Sequence, residues 1–132
     1  MKVLALDFGE ARTGVAVSDP SWTIARPLCV VERAASEAGL RRLGELVHAE
    51  GADRVVVGLP LTMRGGRGEQ ARVTERFVEA LRAVVEVPVE SFDERFTTDL
   101  AERNGASESP EDARAAAHLL AGYLEWSGRR AG

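Results

Sequence analysis

Asp7 closes an apolar run, Val3-Leu4-Ala5-Leu6, and Gly9 follows it closely. A carboxylate at the end of a buried strand, beside a turn tight enough to admit a ligand, suits a cation that holds a phosphate. Asp93-Glu94 directly follow another short expected strand, Pro88–Phe92, and Asp112 stands in the opening turn of an alanine-rich stretch with helical spacing. Carboxylates gathered in one place repel, so such a cluster needs a cation or a proton. Hard oxygen ligands of this kind take Mg²⁺ or Mn²⁺. Two such ions, about 4 Å apart, can activate a water and stabilise the leaving oxygen in phosphodiester cleavage. Each acid also has a plainer use. Asp7 could cap the turn after its strand, and Asp93 or Glu94 could pair with Arg95 in a solvated loop. Asp112, in the first turn after Ser109, could simply favour the helix dipole.

The cations are the second chemical feature. Lys2 is the lone lysine among 17 cationic side chains, and Arg64, Arg67, Arg72 and Arg76 crowd one stretch. Arginine suits bidentate phosphate contacts, although the same bias can follow from genome composition. Arg12, in the turn after Asp7, could bind a phosphate or form a surface ion pair. Arg64-Gly65-Gly66-Arg67-Gly68 could wrap a phosphate backbone, but it lacks the Gly-Lys-Ser/Thr ending of a P-loop. His48 and His118 have no cysteine partners, which argues against zinc. Cys29 has no nearby base and reads as a small buried side chain. Ser18, Ser91 and Ser109 lack the context of a nucleophile elbow. Trp22 and Trp126 are too isolated for a stacking platform.

These residues need a scaffold, and the chain supplies one. Strands are expected near Lys2–Asp7, Gly14–Ser18 and Trp22–Val31, forming an antiparallel meander. Ser36 caps a helix through Leu40, Leu43 and Val47 that Gly51 ends. Arg54–Gly58 is a short strand whose interior, Val55-Val56-Val57, is wholly apolar, which implies burial on both faces. A glycine-rich loop at Thr62–Gly68 leads to a helix with Phe77, Val78, Leu81, Val84 and Val85 on one face. Pro88–Phe92 is the last strand. A short helix is expected at Phe96–Arg103, and a longer one opens at Ser109-Pro110. Together these elements specify an α/β fold: a mixed five-stranded sheet, antiparallel meander then parallel strands, with helices on both faces. The carboxyl ends of strands one, four and five should open on one side, where ligands bind in such sheets.

At 132 residues, 45% apolar and 29% charged, the sequence reads as one soluble domain over residues 1–126, with 127–132 as a disordered tail. No apolar run is long enough for a membrane span. The chain enters its first strand directly after Lys2, with no room for a secretory signal. Its lone cysteine fits a reducing cytoplasm. The formal net charge of -4 weighs against a nucleic-acid binder. An acidic centre with an arginine rim would reconcile the two.

The blocks Asp7-Phe8-Gly9 with Arg12–Asp19, Val57–Leu61, Phe92–Thr98, and Asp112 before its alanine-rich helix resemble the YqgF/RuvX family, in order through nearly the whole chain. That resemblance implies an RNase H-like fold related to RuvC-type resolvases and a cytoplasmic, metal-dependent nuclease. Members are described as maturing the 5′ end of pre-16S rRNA, and some as Holliday-junction resolvases. It implies Asp7 as the first-strand ligand and Asp112 as the acid of the final helix. RuvC-type enzymes keep a middle acid near strand four, where this chain has Gly58-Leu59-Pro60. Glu94 is then the substitute, with Asp93 behind it. The expected catalytic set is Asp7, Glu94 and Asp112, holding Mg²⁺ or Mn²⁺ with Asp93 as a further ligand. Arg12, Arg64, Arg67 and Arg95 would grip substrate. Expected partners are pre-rRNA or branched DNA and a ribosomal subunit, with the protein a monomer or a homodimer. The competing reading is a non-catalytic RNA- or ribosome-binding module. An ATP-binding fold of the actin and sugar-kinase type, which also opens on Asp-x-Gly, would need a second lobe for which 132 residues leave no room.

Overall fold

The computed structural model describes residues 2–19, 21, 24–60, 68–93 and 111–131. Strands β1 (Val3–Asp7), β2 (Arg12–Ser18) and β3 (Ala25–Glu32) form the meander. Helix α1 (Glu37–Glu50), strand β4 (Arg54–Leu59), helix α2 (Glu69–Arg82), strand β5 (Val89–Asp93) and helix α3 (Glu111–Ala131) follow. The sheet order is β3-β2-β1-β4-β5. β1 pairs antiparallel with β2 and parallel with β4, and β4 pairs parallel with β5. The mixed sheet expected from the sequence is therefore present, with helices on both faces.

The faces follow from strand alternation, because successive side chains point to opposite sides. Leu4, Leu6, Val55, Val57 and Val89 join Leu43, Leu46 and Val47 of α1 and Phe77, Val78 and Leu81 of α2 in one core. Val3, Ala5, Ala16, Val56 and Phe92 join Ala116, Leu119, Leu120, Tyr123 and Leu124 of α3 in the other. Central β1 and β4 carry apolar residues on both sides because both sides are covered. Each fully buried Leu or Val contributes roughly 1.5–3 kcal/mol of transfer free energy.

Local signals set the ends of α1. The Ser36 side chain accepts from the Gly39 amide, and Gly51 closes the helix. A polar clasp ties α3 to the strands. The Tyr123 hydroxyl donates to Glu90 Oε1 and accepts from Arg54 Nη1 at 2.7 Å. Burial, then the bond to Glu90, pushes the Tyr123 phenol above its ordinary value, with Arg54 opposing, so it stays protonated at neutral pH. Tyr123→Phe should cost about 1–2 kcal/mol. Urea denaturation should show a lower midpoint with an unchanged slope, and an unchanged midpoint would remove the clasp from the account.

The structure departs from the sequence expectations in three places. β3 begins at Ala25 rather than near Trp22, which lies outside the described residues. Asp19 explains the late start: its amide donates to the Ile24 carbonyl and its Oδ1 accepts from the Ile24 amide, closing a longer hairpin loop. α2 ends at Arg82, before Val84 and Val85. Paired β-branched residues are weak helix formers, and Arg82 turns to donate to the Val89 carbonyl, leaving Val84 exposed. α3 runs on to Ala131, through the stretch expected as a tail. No proline interrupts it. The loop at Thr62–Gly68 lies outside the described residues up to 67, as do the helix expected at Phe96–Arg103 and the Ser109-Pro110 cap.

Candidate functional site

Asp7 is the last residue of β1, and alternation places it on the face of Val3 and Ala5, under α3. Its neighbour Phe8 packs on the opposite side, where its ring stacks on Phe77 of α2 at 4.3 Å between centroids. That stack fixes the pleat at the point where the strand ends, and so fixes the side on which the Asp7 carboxylate emerges. The chain then turns tightly. A Cβ on Gly9 would lie 2.4 Å from the Arg12 carbonyl oxygen, so only glycine fits there. The Thr13 hydroxyl, fully buried, bridges the turn to the Gly9 backbone.

Gly14 brings in the second carboxylate. It is the cross-strand partner of Asp7. A Cβ at Gly14 would sit 1.8 Å from the Asp112 carbonyl oxygen and 2.3 Å from its carbonyl carbon. The first turn of α3 therefore rests on bare strand backbone, and Asp112 lies one cross-strand step from Asp7. The Asp112 carboxylate meets Arg12, with Nε 3.4 Å from Oδ2. Their side chains are 65% and 41% exposed, so water screens the pair and its contribution to stability is small.

The other expected residues divide clearly. Asp93 pairs with Leu59 in the parallel ladder and follows the alternation of Val89, so it lies on the α1/α2 face, away from Asp7 and Asp112. Gly58, the partner of Phe92 and on the α3 side, is buried and brings no carboxylate from β4. Glu94, Arg64, Arg67 and Arg95 lie outside the described residues. His48 is exposed on α1 and His118 is half-buried on α3. Burial pushes the Cys29 thiol up, with Arg42 opposing and Glu50 adding to the rise, so it is a poor nucleophile. Among the described residues, no three His, Cys, Asp or Glu side chains gather as a metal set. The two carboxylates on the α3 face are hard oxygen donors, which fit Mg²⁺ or Mn²⁺ and leave room for ligands from outside the described residues.

A family model described as "RuvX: Holliday junction resolvase" matches residues 1–126. The chain belongs to the RuvX family. A Chloroflexus aurantiacus relative named "Putative pre-16S rRNA nuclease" is 50% identical over 101 residues, covering 76% of this chain and 66% of that protein. A Rubrobacter xylanophilus relative of the same name is 46% identical over 135 residues, covering 96% and 94%. The chain thus spans just under two thirds of the first and almost all of the second. Among solved structures, Thermus thermophilus RuvC in complex with Holliday junction substrate matches with TM-score 0.63 at 22% identity over 96% of each chain. The fowlpox virus Holliday junction resolvase matches with TM-score 0.54 at 12% identity, over 96% of this chain and 99% of that one. These likenesses establish the RNase H-like fold of the RuvX chain.

Two RuvX residues that matter here escaped the sequence reading. Gly14 was legible as a strand residue near the acids, but its contact with Asp112 joins segments far apart in the chain. Phe8 was legible as part of a motif, and only its apolar character between Asp7 and Gly9 signalled an anchor on the opposite face.

Proposed function

We propose that this RuvX protein is a divalent-metal-dependent endonuclease acting in the cytoplasm on the 5′ end of pre-16S rRNA. The observation that carries the reading is the seating of Asp112 on Gly14, one step from Asp7, at the carboxyl end of β1. Asp7 and Asp112 would hold the ion, with Glu94 as the third acid, since Asp93 faces the other way. Bound there, Mg²⁺ or Mn²⁺ supplies Lewis acidity that lowers the pKa of a water and offsets charge on the phosphoryl oxygens. The carboxylates orient, and Arg12 at the rim offers a guanidinium to a phosphate oxygen. Arg64, Arg67 and Arg95 would grip the flanking backbone. The reaction forms one P–O bond to water and breaks one P–O ester bond, leaving a phosphate monoester and a hydroxyl. RNA is favoured over branched DNA because the relatives named for pre-16S rRNA reach 50% identity, against 22% for RuvC.

The test is cleavage by purified protein of RNA spanning the 5′ end of 16S and of a synthetic four-way DNA junction, with Mn²⁺ or with EDTA. Cutting of the RNA alone, abolished by EDTA, is the expected result. Cutting of the junction alone would move the substrate to branched DNA. With folded protein, the absence of any cutting would favour a binding module.

A further inference from the structure

We propose that Arg12 competes with the metal ion for Asp112: its guanidinium stands as the counter-ion of the metal-free carboxylate and is released to a nucleic-acid phosphate once the ion binds. The proposal rests on the nuclease reading above and deepens it, by coupling metal occupancy to phosphate binding through one side chain.

Three observations support it. Arg12 opens β2, and alternation puts it on the same face as Gly14 and Ala16, beneath the start of α3. Its guanidinium reaches the Asp112 carboxylate through Nε at 3.4 Å, so that carboxylate offsets the positive charge a phosphate would otherwise meet. Both side chains are well exposed, so the pair is weak enough to exchange. A strand residue keeps its backbone fixed while its long side chain swings. A divalent charge on Asp112 would repel the guanidinium and remove its partner in one event. The swap gives the site a cation at Asp112 whether or not metal is present, and it presents the arginine to substrate only when the ion is in place.

A merely stabilising surface ion pair would not produce the signature that follows, which has opposite signs in two binding reactions. Mn²⁺ binding should be measured by calorimetry on wild type, Arg12→Gln, Arg12→Lys and Asp7→Asn, with circular dichroism as the check on folding. Arg12→Gln should bind Mn²⁺ about three- to ten-fold more tightly, the gain expected from removing one screened positive charge beside a divalent ion. Arg12→Lys should stay within about two-fold of wild type because it keeps the charge. Binding of RNA with Mn²⁺ present should weaken in Arg12→Gln, and the slope of log affinity against log salt should fall by about one. Unchanged or weaker Mn²⁺ binding in Arg12→Gln would overturn the competition while leaving the metal site intact. Absence of Mn²⁺ binding in wild type, or full binding in Asp7→Asn, would overturn the nuclease reading itself and the competition with it.

Discussion

Gly14→Ala should melt roughly 10 °C below the wild type and lose Mn²⁺ binding. The added methyl would overlap the Asp112 carbonyl, whose oxygen lies 1.8 Å from the position of the Cβ. That obstacle is main chain, so no rotamer change relieves it. Either β2 sinks into the packed core or the first turn of α3 lifts. Overpacking of this kind costs about 3 kcal/mol at the upper end of its usual range. The cheaper escape is for α3 to lift, which carries Asp112 away from Asp7. Loss of metal binding should therefore exceed what the stability change alone predicts. Calorimetric melting and Mn²⁺ titration on the same preparation check both. A variant that melts with the wild type would mean α3 does not sit on bare backbone here.

Asp7→Asn should reduce cleavage at least about a thousand-fold, a loss of roughly 4 kcal/mol in transition-state stabilisation. Asparagine keeps the shape of the side chain and removes the negative charge that would hold a divalent ion there. Asp7 lies at a strand end, half-buried, and Phe8 continues to anchor the turn through Phe77. Circular dichroism and RNA binding without metal should therefore match wild type. A variant that still cuts at more than about a tenth of the wild-type rate would take Asp7 out of the reaction.

The sequence exposed some of this architecture and hid the rest for physical reasons. α1 was legible because Ser36 and Gly51 mark its ends through local bonds that depend on neighbouring residues alone. Val55-Val56-Val57 announced a strand buried on both faces. The end of α2 was not legible, because Val84 and Val85 continue the helical apolar spacing and only Arg82's reach to Val89 shows the stop. The face of Asp93 was hidden too. Val89 and Phe92 are the buried residues of β5, and their odd separation leaves the alternation unreadable until each is assigned to its own core. The acids Asp7 and Asp112 were legible by type and place. The contact that joins them was not, since it depends on a glycine whose only signal is an absent side chain.

The order of the elements also has a bearing on biosynthesis. β1 is translated first among them, and α3 is translated after every strand of the sheet. A chain on the ribosome that has already made β1 to β5 carries Asp7 but no Asp112, and Gly14 faces open solvent. The paired carboxylates come into being only when the last helix emerges and docks. Any ion held by that pair, under the function proposed above, is therefore bound only after α3 has docked.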